Sequence, residues 1–120
     1  MITVDYKDKR PLYEQLAGNI TEMALSGELK PHEQLPSVRQ LAVSMGINPN
    51  TIARAYGELE RRGVIYSVLG KGSYINDDLS FVIKERTRKT EEKLRTAVKE
   101  AKSGGVTKER IQEIVGEEYD

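Results

Sequence analysis

Residues 48–54 carry hydrogen-bonding side chains of the types that contact base edges and phosphates. Arginine donates two parallel hydrogen bonds to guanine, asparagine pairs with adenine or a phosphate, and threonine reaches a phosphate or a thymine methyl group. At 100° per residue around a helix, Asn50 and Arg54 share a face opposite an apolar set made of Ile52, Ala55, Tyr56 and Leu59. The pattern predicts a helix with one buried face and one polar, outward face.

A shorter helix and a tight turn precede this helix and would hold it in place. Ser37 is a predicted N-cap, because its side chain can accept a backbone N–H from the first turn. Gly46 stands where the chain reverses between the helices, a position that often needs positive φ. Asn48 and Pro49 then form an N-cap followed by proline at the first helical position. The sequence therefore predicts two helices joined by a turn.

After Gly63 the apolar period changes from that of a helix to that of a strand. The runs 64–68 and 73–75 are rich in β-branched and aromatic residues and flank Gly70-Lys71-Gly72, which predicts a hairpin with a glycine-rich tip. Lys71 places a positive charge on a backbone that can approach a phosphate or the minor groove closely. Each polar residue taken alone is equally typical of an ordinary solvated surface.

Together these motifs resemble the winged helix-turn-helix domain of the GntR family of bacterial transcription regulators. The resemblance covers residues 10–76 and includes the runs 11–16, 27–31, 35–39 and 70–74. It implies a homodimer that reads a pseudo-palindromic operator, with the second helix in the major groove and the wing in the minor groove. The short tail and the run 48–51 are similar to the YtrA-like subgroup. The DNA-contacting residues that we predict are Ser37, Arg39, Asn48, Pro49, Asn50, Thr51, Arg54, Lys71 and Gly72.

Residues 77–120 form the predicted tail. Asp77-Asp78 can cap a helix from Leu79 to about Lys102, and Thr107 can cap a second helix after the break at Gly104-Gly105. Neither helix can bury its apolar stripe alone, so we expect the tail to pack against its copy in a second chain. The alternative is that it folds back on its own winged domain. The predicted dimerisation residues are Phe81, Ile83, Leu94, Val98, Ile111, Ile114 and Val115.

The predicted fold class is therefore mostly α with a small β-hairpin: a winged helix-turn-helix domain over 1–76, followed by a two-helix C-terminal dimerisation extension over 77–120. At 120 residues we expect one modest core, with no separate ligand-sensing or catalytic domain. The sequence has no cysteine and a single histidine, His32, in a predicted surface loop. It contains no metal-binding or nucleophile motif. We expect no enzyme activity, no cofactor, no metal and no membrane association, and a cytoplasmic location.

Net charge is the feature that fits DNA binding least well. Lysine plus arginine equals aspartate plus glutamate at 19 each, whereas DNA-binding domains are often basic. Residues 1–76 hold nine basic and eight acidic side chains, and residues 48–72 hold four basic and two acidic ones. The region predicted to face DNA is thus locally positive, and modest, salt-sensitive non-specific affinity is expected.

Two functions follow from these observations. The first is a sequence-specific repressor that binds its operator as a homodimer; the subgroup resemblance implies control of a transporter operon. The second is a winged-helix module for protein interaction or assembly without specific DNA readout, because a fold does not determine a function. A small-molecule effector stays open as a partner, since no set of residues marks a pocket for one.

Overall fold

The computed structural model describes residues 2–120, which form five helices and one two-stranded hairpin. The predicted fold class, mostly helical with a small hairpin, is confirmed. In chain order the elements are α1 (Leu12–Ser26), α2 (Val38–Met45), α3 (Pro49–Arg61), β1 (Ile65–Val68), β2 (Gly72–Ile75), α4 (Ser80–Ser103) and α5 (Lys108–Tyr119).

Helix α1 shares one core with α2 and α3, and we call these three helices together with the hairpin the winged part. Pro11 flanks its first turn, and Gly27 ends it in the left-handed region with φ of 84°, which a residue without Cβ adopts at no steric cost. Its fully buried face carries Leu16 and Ile20 and packs in one core with α2 and α3. Leu12 and Met23, nearer the two ends of the helix, are half-buried.

The segment before α1, to which we assigned no role from the sequence, is tied to the helix by a buried glutamine. Gln15 is 3% exposed. Its Oε1 accepts the Asp5 backbone N–H at 2.8 Å, and its Nε2 donates to the carbonyls of Asp5 and Arg10 at 3.1 and 3.0 Å. All these amide bonds lie within the chain, so burial leaves the amide satisfied. Ile2 and Val4 pack against the core from the same segment.

The hairpin is antiparallel, with Tyr66 opposite Tyr74 and Val68 opposite Gly72. A short extended stretch, 32–35, pairs with the outer edge of β2. There Leu35 N–H donates to the Ser73 carbonyl and Ile75 N–H donates to the Glu33 carbonyl, both at 2.9 Å. The loop before α2 therefore behaves as a third short strand and fixes the hairpin to the helical part.

The core closes around side chains from every element up to the start of α4. Its fully buried large members are Leu16, Ile20, Ile52, Leu59, Val64 and Ile75. Val82 joins this core at 8% exposure, although its neighbours Phe81 and Ile83 are 60% and 52% exposed. The chain divides into two compact units, one ending at Val82 and the other comprising Ile83–Asp120.

The second unit consists of most of α4, the connection and α5. Helix α4 begins at Ser80, one residue later than predicted. Asp78 Oδ1 accepts the Ser80 backbone N–H at 3.0 Å. The helix ends in a turn where Gly105 has φ of 87°. Thr107 caps α5 as predicted, because its hydroxyl accepts the Arg110 N–H at 3.1 Å. Over residues 2–120, no helix is both long and apolar enough to cross a membrane.

Candidate DNA-binding surface

The turn between α2 and α3 is built by side-chain caps. Ser37 Oγ accepts the Gln40 backbone N–H at 3.0 Å, and Gln40 Oε1 accepts the Ser37 N–H at 2.9 Å, so two backbone donors are satisfied reciprocally. Gly46 ends α2 with φ of 65°. Asn48 Oδ1 then accepts the Asn50 N–H at 2.8 Å, with Pro49 at the first position of α3. These predicted caps are confirmed, and they set where α3 starts.

Helix α3 divides into two faces as its sequence predicts. Ile52, Ala55, Tyr56 and Leu59 are buried. Tyr56 additionally fixes the approach of α2, because its hydroxyl donates to the Pro36 carbonyl at 2.7 Å. Burial raises the pKa of Tyr56 to about 12, so this hydroxyl stays protonated and keeps donating even at a pH where an exposed tyrosine ionises.

The opposite face of α3 and the start of α2 display the predicted contact residues. Asn50 and Arg54 are exposed, and Thr51 is half-buried in the first turn. Arg39 lies exposed in the first turn of α2 and has no hydrogen bond or ion pair with residues 2–120. The oxygens of Ser37 and Asn48 are occupied by the caps, which leaves their hydroxyl and amide donors for another partner.

At the end of α3, one acidic side chain pairs with two basic ones. Glu58 Oε1 accepts from Arg62 Nε at 3.0 Å, and its carboxylate also binds the Arg61 guanidinium. Hydrogen bonding from Arg61 first, and then from Arg62, lowers the pKa of Glu58 to about 2. Two of the four basic residues within 48–72 therefore share one carboxylate, which offsets one of their two positive charges. Arg54 and Lys71 keep no acidic partner among the residues that the structure describes.

The wing tip is shaped by a turn and by one side chain from outside the hairpin. Lys71 N–H donates to the Val68 carbonyl at 2.9 Å, and Gln34 Nε2 donates to the Lys71 carbonyl at 2.8 Å. Gly72 has φ of 126°, and a Cβ placed on it would lie 2.9 Å from Gln34 Nε2. Glycine is therefore required here by conformation, and a Cβ would also displace the Gln34 side-chain amide from its bond to the Lys71 carbonyl. The arrangement leaves the Lys71 side chain exposed at the tip.

His32 is exposed, as predicted for a loop residue, but it is not isolated. Its Nδ1 lies 2.7 Å from the Tyr66 hydroxyl, and its Nε2 lies 3.4 Å from Asp77 Oδ2. Tyr66 in turn stacks on Tyr74 across the hairpin, with ring centroids 5.6 Å apart. Within residues 2–120 no group of three or more potential metal ligands comes together. His32 thus links the loop to the base of the wing.

One contact of α3 was not predicted from the sequence. The Arg54 guanidinium carbon lies 3.8 Å from the centroid of the Tyr13 ring, so the cation rests on the aromatic face. Tyr13 is half-buried against the core, and its hydroxyl donates to Glu14 Oε1 at 3.2 Å.

All of the predicted dimerisation residues except Phe81 lie on the second unit, in which no side chain is buried. Leu94 is 60% exposed and Val115 is 49% exposed. Ile83, Val98 and Ile114 are also exposed, and Ile111 is half-buried. Phe81 precedes this unit and lies about 160° around the α4 axis from Ile83, so it does not share the stripe of Ile83 and Leu94.

The comparisons with known proteins agree with this architecture. Residues 12–75 match the family model described as bacterial regulatory proteins, gntR family. The HTH-type transcriptional repressor YtrA of Bacillus subtilis is 37% identical over 118 residues, which cover 98% of this chain and 91% of that protein. A transcriptional regulator from Oenococcus oeni, known from its crystal structure, has a TM-score of 0.83 at 35% identity, with both chains covered completely.

A further structure has DNA bound. The DNA-binding domain of AraR in complex with its operator ORE1 matches with a TM-score of 0.53 at 27% identity, covering 62% of this chain and 92% of that domain. The proteins named here are regulators rather than enzymes. Because the matched region 12–75 contains α1, α2, α3 and the wing described above, the chain is a DNA-binding transcriptional regulator and belongs to the gntR family of bacterial regulatory proteins.

Proposed function

We propose that the chain represses transcription as a homodimer bound to a pseudo-palindromic operator. In each half-site α3 lies in the major groove and the wing contacts the adjacent minor groove. The observation that carries this proposal is a set of three exposed cations, here called the unpaired cations, on α2, α3 and the wing. They are Arg39, Arg54 and Lys71, and none has an acidic partner among residues 2–120.

The first turn of α3 supplies the base contacts in this proposal. Recognition helices present their N-terminal residues to base edges, and the caps leave Asn50 and Thr51 at that end of α3. The remaining side-chain donors of Ser37 and Asn48 suit phosphate oxygens. Pro49 and Gly72 add no side-chain donor, so we assign them close backbone approach to the duplex.

A second copy of this chain is the proposed partner of the tail. Helices with an uncovered apolar stripe need another surface to bury it, and Ile83–Asp120 contains no buried side chain. A two-fold interface pairs the same patch with itself, so one stripe containing Leu94 and Ile114 is sufficient for both chains. Phe81, on the other side of α4, would contact the partner only outside the shared stripe.

The operator and the regulated genes are the finer part of the proposal. The subgroup resemblance favours a neighbouring transporter operon. Purified protein containing residues 1–120 is used to select fragments from genomic DNA of the source organism. We expect enrichment of fragments that contain two inverted half-sites about 34 Å apart, or one helical turn, next to transporter genes. Enriched fragments that share no motif contradict the proposal of operator recognition.

Removing the unpaired cations separates a repressor from an assembly module. The triple variant Arg39→Ala, Arg54→Ala and Lys71→Ala should lose binding to the selected fragment while the oligomeric state measured by sedimentation stays unchanged. A control that removes the same charge from other parts of the domain, with alanine at Lys7, Lys9 and Lys30, should retain the specific complex. Unchanged DNA binding by the first variant favours the assembly module.

A further inference from the structure

The stacked pair of Tyr13 and Arg54 connects the first helix of the domain with the recognition helix. Tyr13 is the second residue of α1, and its ring is fixed by packing against the core. Arg54 is exposed on α3, and its guanidinium carbon lies 3.8 Å from the Tyr13 ring centroid. The two residues are 41 positions apart, so the pair exists only because α1 and α3 pack together.

A guanidinium stacked on a ring contacts the ring with its flat face and keeps the N–H donors on its edge available for another partner. The five N–H donors of arginine lie in the guanidinium plane and point outward from its rim, while the attraction to the ring acts through the flat face. Within residues 2–120 the ring is the contact that Arg54 makes, and its donors have no partner there. Arg61 on the same helix differs, because its donors are bound by Glu58.

We propose that Tyr13 is a positioning residue that holds Arg54 ready to bind a DNA phosphate at the side of the groove that α3 occupies. The stack holds the guanidinium against Tyr13 of α1, at the side of α3 that packs on that helix. The phosphate backbone flanks a helix lying in the major groove. Ordering a long side chain before binding lowers the entropy lost on contact. This inference rests on the proposed DNA-binding role of α3.

A double-mutant cycle tests the pair. The wild type, Tyr13→Leu, Arg54→Ala and the double variant are titrated with the selected operator fragment and with random duplex at several salt concentrations. An exposed cation–π contact corresponds to about a two- to five-fold change in affinity, so Tyr13→Leu should weaken binding to both duplexes by roughly that factor. Arg54→Ala should weaken both by at least as much and reduce the salt slope by about one.

The energetic coupling between the two substitutions distinguishes a positioning role of Tyr13 from a structural one. Tyr13→Leu should have no further effect once Arg54 is alanine, whereas a general loss of domain stability would act equally in both backgrounds. Tyr13→Phe keeps the ring and removes only the hydroxyl bond to Glu14, so it should bind DNA as the wild type does. Thermal unfolding of each variant is measured alongside.

Arg54→Lys keeps the charge at an exposed site and does not depend on the folding of a Tyr13 variant. It should bind more weakly than the wild type, because an ammonium lacks the flat face that stacks. Equal affinity and salt slope for Arg54→Lys and the wild type overturn the proposal. Additive losses in the cycle, or stronger binding by Tyr13→Leu, overturn it as well.

The remaining outcomes separate this inference from the proposed function. If Arg54→Ala changes the base preference at one position of the half-site, the phosphate assignment is wrong. Wild-type protein that binds no duplex refutes the function and the role of Arg54 together. Wild-type protein that binds normally while Tyr13→Leu binds equally well refutes only the role of Tyr13.

Discussion

Leu94 in the middle of α4 offers the most direct perturbation of the proposed dimer. It is 60% exposed in the single chain. Burying a leucine side chain completely stabilises by about 1.5–3 kcal/mol, so covering the exposed fraction contributes about 1–2 kcal/mol. A two-fold interface contains this residue twice. Leu94→Ala should therefore weaken the dimer by about 2–4 kcal/mol, a rise in its Kd of roughly 30-fold to several hundred-fold.

Sedimentation velocity over a range of protein concentrations measures this Kd. Leu69→Ala is the matched control, because it makes the same chemical change at a leucine that is 101% exposed on the wing. The control should leave the monomer–dimer equilibrium unchanged. The reasoning is refuted if Leu94→Ala has the dimer constant of the wild type, or if the two substitutions weaken the dimer equally.

Two further predictions concern the stability of the winged part. Glu58→Gln should make the free energy of unfolding depend less on pH in the acidic range. The folded protein lowers the pKa of this carboxyl from 4.5 to about 2, so its stabilisation is complete above about pH 4.5 and is lost as the pH falls toward 2. Urea unfolding at several pH values measures this pH dependence, and Glu60→Gln on the same helix is the control. The same pH dependence of the free energy of unfolding in Glu58→Gln and the wild type would contradict the prediction. Gly57→Ala in α3 should stabilise by about 0.5–1 kcal/mol, because a Cβ there meets nothing within 4 Å. Gly72→Ala should destabilise, because a residue with a Cβ is strained at a φ of 126° and would displace the Gln34 amide from the Lys71 carbonyl. Thermal unfolding compares the two glycine variants, and a Gly72→Ala protein as stable as Gly57→Ala would show that the wing tolerates a side chain.

Most helix boundaries could be predicted from sequence because their signals are local. The caps at Ser37, Asn48 and Thr107 each depend on a side chain that reaches a backbone group two or three residues away. Gly46 marks the end of α2 because it adopts positive φ. Such features need no knowledge of tertiary contacts, and the structure confirms all of them.

The contacts that escaped prediction join residues distant in sequence. The run Phe81-Val82-Ile83 is uniformly apolar, and only the packed core selects Val82 for burial. Gln34 reaches the Lys71 carbonyl across 37 positions to hold the wing turn. The stack of Arg54 on Tyr13 likewise depends on how α1 and α3 pack. Local periodicity carries no information about any of these partners.

Changing the spacing between the two half-sites tests the central claim most directly, namely that the tail pairs two recognition helices on one side of the duplex. Half-sites one turn apart face the same side, and five extra base pairs rotate one of them to the opposite side. The protein containing residues 1–120 is titrated with the selected fragment and with versions carrying five or ten inserted base pairs. We predict a large loss of affinity with five inserted pairs and a smaller loss with ten. Equal affinity for the original fragment and for the version with five inserted pairs would contradict the account.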